Sequence, residues 1–154
     1  MQKSISLCLI AVLVSFSSRG FAQTPEVPVK ALFDAMRSHN GGQLTAQFTR
    51  GALLQRAEAN GEIKQNDIVR FAEFVSQTDK YLDEKLLAIS VHQSGNLAAV
   101  WTPYAFYLDG QLSHCGVNSF QLVKIEESWK IQYLIDNSHG GDCELFIRQH
   151  GSDN

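Results

Sequence analysis

The stretch Asn96 to Asn137 constrains this chain more than any other, because it spells long β-strands joined by tight turns. Apolar and polar residues alternate with a period of two, aromatic and β-branched residues are enriched, and Asp109-Gly110 is a strong two-residue hairpin signal. A meander of this length must pack one face against something apolar. The upstream sequence supplies the material.

Val29, Leu32, Phe33 and Met36 fall at i, i+3, i+4 and i+7, the stripe of a helix that buries one side, and Pro28 suits its first turn. Asn40-Gly41-Gly42 ends that helix, and Leu44 with Phe48 suggests a short second one before Gly51. Asn60-Gly61 signals a turn between weakly strand-like flanks. Asn66 is placed to cap a third helix carrying Ile68, Phe71, Ala72 and Val75 on one side. From Glu84 the period changes to two, with Leu87, Ile89 and Val91 alternating with Ala88, Ser90 and His92. Helices first and strands afterwards predict an α+β domain, three N-terminal helices covering a curved antiparallel sheet.

The N-terminus reads as an export signal. Lys3 opens a short basic region, Ile5 to Phe16 is nearly all apolar or small, and Gly20-Phe21-Ala22 offers small residues where a signal peptidase cuts, so cleavage is expected after Ala22. Cys8 lies inside the apolar run, not just after it, which argues against a lipid anchor. The expected layout is a signal peptide over 1–22, one domain over 23–150 and a frayed end over 151–154. The expected location is periplasmic or secreted, with no membrane attachment after cleavage. The whole chain carries a formal charge of −3, and cleavage removes Lys3 and Arg19, leaving it more acidic. Its basic residues are scattered, which excludes a nucleic-acid footprint.

Cys115 and Cys143 survive cleavage. In an oxidising compartment a disulfide between them is expected ahead of free thiols or a metal role, and it would close a loop of about 28 residues. His114, Cys115, His139 and Cys143 together offer a zinc-like donor set. Against it, side chains 114 and 115 point to opposite faces of a regular strand. No metal and no cofactor is expected.

A hairpin turning at Asp109-Gly110 sets Ala105 opposite His114 and Trp101 opposite Asn118. A second, turning at Glu127-Ser128, sets Phe120 opposite Ile135 and Leu122 opposite Tyr133. Trp101, Tyr107, His114, Asn118, Phe120, Leu122, Tyr133 and Ile135 would then line an apolar hollow, with Gln121, Lys130 and Gln132 outside. Pro103 opposite Gly116 marks a place where a bulge would reverse the facing. Trp101, Tyr107, His114, Asn118, Phe120 and Tyr133 are the expected ligand contacts. His114 and Asp136 are the candidate proton-transfer groups, although a histidine at a strand end is more often a structural hydrogen-bonder, and Trp101 and Tyr133 are as readily core. Asp83 and Glu84 read as a solvated strand entry.

The helix pair, third helix and meander ending in Gly116-Val-Asn-Ser-Phe-Gln-Leu-Val, Trp129-Lys-Ile and Asp136 resemble the nuclear transport factor 2-like superfamily. Val100-Trp-Thr-Pro-Tyr-Ala-Phe-Tyr-Leu-Asp-Gly, followed by Ser113-His-Cys-Gly, looks like exported bacterial members, among them lumazine-binding-like proteins. The resemblance spans almost the whole mature domain and implies a cone-shaped sheet open over a pocket. It does not choose a chemistry, because the superfamily holds isomerases, dehydratases, epoxide hydrolases, cyclases and non-enzymatic binders. Its isomerase-like members use a pocket carboxylate beside a tyrosine or a second acid, whereas the register above puts no Asp or Glu on the inner wall. The close relatives run from the aspartate into Thr-Arg-Arg, but here Asp136 is followed by Asn137-Ser138-His139. The leading expectation is non-catalytic binding of a small apolar ligand, with a homodimer as a further possibility. An isomerase, dehydratase or cyclase using His114 or Asp136 is the alternative, and a protein-interaction module pairing through the outer sheet face is the third.

Overall fold

A computed structural model describes residues 23–151. The expected signal peptide over 1–22, Cys8 included, lies outside the described residues, as do residues 152–154 of the expected frayed end.

Helix α1 (Glu26–Arg37) buries Val29, Leu32, Phe33 and Met36, the stripe read from the sequence. The second helix is shorter than expected. Leu44 lies in α2 (Gly41–Thr45), but Phe48 already begins strand β1 (Phe48–Ala57). Asn60-Gly61 does turn the chain, Gly61 taking φ +87°, into β2 (Ile63–Asn66), which pairs antiparallel with β1. Asn66 therefore belongs to β2, and the cap of α3 (Ile68–Gln77) is Asp67, whose carboxylate accepts from the Arg70 amide at 2.9 Å. A methyl group at Gly41 would sit 2.3 Å from Ala72 O, so only glycine allows α2 and α3 this close.

β3 (Leu82–Leu86), β4 (Ser90–Ser94), β5 (Leu97–Leu108), β6 (Gln111–Ile125) and β7 (Ser128–Ser138) complete a seven-stranded sheet in the order β2-β1-β7-β6-β5-β3, with β4 also on β5. It is a mixed sheet. Every pair is antiparallel except β1 with β7, a pairing between the two ends of the chain that local periodicity cannot announce. Leu32 and Phe33 of α1 share one buried core with Phe120, Leu122 and Ile131 of the sheet, with Phe33 edge-on to Phe120 at 6.3 Å. Side chains this deeply buried each contribute about 1.5–3 kcal/mol of transfer free energy.

Two bulges correct the expected strand facing. The first turn is as expected, Asp109 (φ +50°) and Gly110 (φ +80°) bringing Leu108 opposite Gln111. The register then shifts between Tyr107↔Leu112 and Phe106↔His114, leaving Ser113 as the extra residue. The shift falls nearer the turn than Pro103 and Gly116, and it reverses β5 against β6: Thr102, not Trp101, stands opposite Asn118. The second turn is at Glu126-Glu127, with Glu126 at φ +54°, not at Glu127-Ser128. A further shift at Gln132 sets Phe120 opposite Leu134 and Gln121 opposite Tyr133. His114, Asn118, Phe120 and Leu122 keep the inner face expected of them. Trp101, Tyr107, Tyr133 and Ile135 do not.

After β7 the chain makes one more helix, α4 (Cys143–His150), capped by Asp142 Oδ1 accepting from the Glu144 and Leu145 amides. Cys143 is bonded to Cys115 (S–S 2.10 Å, Cα–Cα 5.6 Å), which ties α4 to the outer face of β5 and β6. Phe146, stacked between His139 and His150, is the residue α4 buries.

Candidate functional site

The inner face of the sheet, α1 and α3 enclose a cavity of about 570 Å³, within the range of small-molecule sites. Its apolar wall is made by Leu32, Phe33 and Met36 from α1, Phe71 and Phe74 from α3, and Leu54, Leu82, Phe106 and Leu134 from the sheet. The amphipathic pattern of α3 explains its share. Ala72 and Val75 are buried, while Phe71 and Phe74 reach the cavity and its rim.

Gln65, Asn66, Asp67 and Arg70 line its more exposed side, and five further polar side chains, Glu84, Asn118, Arg56, Asp136 and His114, share its interior. Glu84 of β3 accepts a hydrogen bond from Asn118 Nδ2 of β6 at 2.7 Å. Asn118 Nδ2 also donates to Thr102 Oγ1 at 3.4 Å, and Asn118 and Thr102 are both buried. Arg56 of β1 grips Asp136 of β7, its Nε donating to both carboxylate oxygens at 3.1 Å and its Nη2 to Oδ2. His114 stands between the rings of Phe106 (5.0 Å) and Tyr104 (5.8 Å), with Nδ1 3.2 Å from Ser113 Oγ.

Burial dominates the electrostatics. Desolvation pushes the Glu84 carboxyl up to about 8, helped by the nearby negative charge of Asp136 and opposed by the Asn118 hydrogen bond and by Arg56 and Arg37. Part of the Glu84 surface remains accessible, and it faces the cavity. Burial lowers the His114 pKa, and the Arg56 charge lowers it further. At neutral pH both Glu84 and His114 are thus uncharged, and the Arg56–Asp136 pair balances itself. Burial also raises the Tyr104 phenol, which donates to Asn137 O at 3.0 Å. Gly116 makes room for this arrangement, since a methyl group there would lie 1.9 Å from Asn137 O.

The sequence-predicted residues divide accordingly. His114, Asn118 and Asp136 line the cavity together. Phe120 is fully buried in the core beside it. Trp101, 52% exposed, lies on the outer sheet face by Ser90, His92 and Ser119. Tyr107 packs under Lys85, whose Nζ is 4.5 Å from the ring centroid, and Tyr133 donates to Gln55 Oε1 at 2.7 Å. The expectation of an inner wall without Asp or Glu is overturned twice, by Glu84 and by Asp136. Glu84 carried a readable signal: it shares the two-residue period of Leu82 and Leu86, so it faces inward with them instead of forming a solvated strand entry. Cys115 and Cys143 are consumed by their disulfide, and among the described residues no three His, Cys, Asp or Glu converge on a metal position.

Solved structures share this arrangement of elements. One from Novosphingobium aromaticivorans, described as a candidate aromatic ring hydroxylase, superposes with a TM-score of 0.64 at 15% identity over 75% of this chain and 87% of that one. A candidate dehydratase of the nuclear transport factor 2-like family from Streptomyces avermitilis gives 0.61 at 15% identity over 75% and 93%. The fold is nuclear transport factor 2-like. A candidate scytalone dehydratase, also from N. aromaticivorans, gives 0.62 at 11% identity over 74% and 80%. At such identities the nuclear transport factor 2-like likeness speaks for the fold alone. No family model and no curated protein matches the sequence.

Proposed function

We propose that this chain is an exported binding protein whose cavity holds one small, mainly apolar molecule. The observation that carries this reading is the cavity itself, whose apolar walls surround an Arg56–Asp136 pair that neutralises itself and a Glu84 that keeps its proton, with the charged Asp67 and Arg70 on the exposed side. An apolar ligand gains from burial there without stranding a charge. Export is supported by the signal-like first 22 residues and by the disulfide, which suits an oxidising compartment. Among the described residues no helix is long and apolar enough to cross a membrane.

Native mass spectrometry of the mature protein, purified from an exporting host, tests this and reports assembly in the same spectrum. A stoichiometric additional small-molecule mass supports the reading. A bare protein that also fails to take up any apolar probe overturns it.

A second reading is favoured by Glu84, an acid that keeps its proton at neutral pH inside a cavity, beside the uncharged imidazole of His114. That combination suits a proton-transfer enzyme of the isomerase, dehydratase or cyclase type, with Glu84 as acid and His114 as base. Asp136 suits the role less well, because Arg56 occupies both its oxygens. Under this reading Glu84→Gln and His114→Ala each abolish turnover of the molecule identified by mass, while binding persists. Under the first reading there is no turnover to lose.

A further inference from the structure

Asn118 and Thr102 restrict what a ligand in this cavity can be. A side-chain amide has two hydrogens to donate and one oxygen to accept. Both hydrogens of Asn118 are engaged, by Glu84 Oε1 and by Thr102 Oγ1. The atom left for a ligand is Oδ1, an acceptor. Glu84 is complementary: Oε1 is engaged by Asn118, so the acid proton belongs on the other oxygen, a donor. Deeper in the cavity Arg56 and Asp136 already answer each other, and the two other charged lining residues, Asp67 and Arg70, lie on its exposed side and are of opposite sign.

We propose that the cavity selects an uncharged molecule bearing a hydroxyl group on an apolar body, and that Thr102 sets this preference by fixing the orientation of the Asn118 amide. A hydroxyl both accepts from the Glu84 proton and donates to Asn118 Oδ1. An ether or ketone leaves Asn118 Oδ1 unanswered, and a carboxylate faces Asp136. Leaving a buried polar atom unpaired costs enough to discriminate about tenfold or more. Thr102 acts through Asn118 and is a positioning residue. Without its hydroxyl the amide can turn over and offer Nδ2 to the cavity, so that acceptor-only ligands would do as well. This inference rests on the small-molecule reading above.

The test is equilibrium binding of the full mature protein, at about pH 6 where Glu84 is protonated, to a naphthol, the matching methoxynaphthalene, naphthalene and the matching naphthoate. The expected order is naphthol tightest, by about tenfold over methoxynaphthalene, with naphthoate weakest. Thr102→Val should bring the naphthol and methoxynaphthalene affinities together while naphthalene binding stays unchanged, and Thr102→Ser should restore the difference. Equal binding of naphthol and methoxynaphthalene by the unmodified protein, or naphthoate binding tightest, overturns the hydroxyl preference and leaves the small-molecule reading standing. A preference that survives Thr102→Val overturns the role of Thr102. No binding of any probe overturns the small-molecule reading, and this inference with it.

Discussion

Asn118 on β6 and Glu84 on β3 meet at 2.7 Å across β5, the strand that lies between theirs in the sheet. The contact ties the edge strand β3 to the interior of the sheet, and it puts a protonated acid where ligand and solvent can both act on it.

Glu84 makes folding stability depend on pH. In the folded chain it holds its proton up to about 8, whereas an unfolded glutamate loses it near about 4.3. Between these values the folded state binds more protons than the unfolded one, so this contribution falls as pH rises and levels off above about 8. The slope approaches about 1.4 kcal/mol per pH unit at its steepest. Urea unfolding from pH 5 to 9 should show this decline in the unmodified protein and a flatter profile in Glu84→Gln. Identical slopes in the two proteins would remove Glu84 as the cause.

The Cys115–Cys143 bond should matter most for α4, which otherwise buries little beyond Phe146. Chain-entropy arguments give the bridge about 3 to 4 kcal/mol. Reduction, or Cys143→Ser, should cost stability of that order and speed hydrogen exchange over residues 143–150, with the inner-face strands protected more nearly as before. The intact bridge also predicts a mass lower by two hydrogens than the dithiol form. Unchanged exchange in α4 after reduction would show that packing alone holds it.

Gly116→Ala forces a methyl group toward Asn137 O, a backbone atom that cannot swing aside. A loss of about 2 kcal/mol or more is expected, measured as a lower denaturation midpoint. Because Tyr104 donates to the same carbonyl, Tyr104→Phe in the Gly116→Ala background should cost less than it does alone. Additive losses would disconnect the two sites.

What local pattern encodes was legible: the stripe of α1, the strands of the meander, the Asp109-Gly110 turn and the cysteine pair. What one inserted residue decides was not. The extra residues at Ser113 and Gln132 reverse which face Trp101 and Tyr133 occupy, and neither breaks the alternation that a reader follows. Glu84 was misread for a different reason: an acid beside Asp83 and Lys85 resembles a solvated segment, and only its period with Leu82 and Leu86 says otherwise. His114 and Asn118 are legible because the alternation within β6 gives their facing correctly even though its register against both neighbours is shifted, and Asp136 because the extra residue at Gln132 turns it inward.

The parallel pairing of β1 with β7 has a consequence in time. Leu53 waits for Tyr133 and Ala57 for Asn137, so the first strand has no neighbour on that side until the last one is in place. Contacts this far apart along a chain slow folding and leave an open strand edge in the interim. A cavity walled by Leu54 and Leu134 therefore closes late in folding, after the strand edge that precedes it has been exposed.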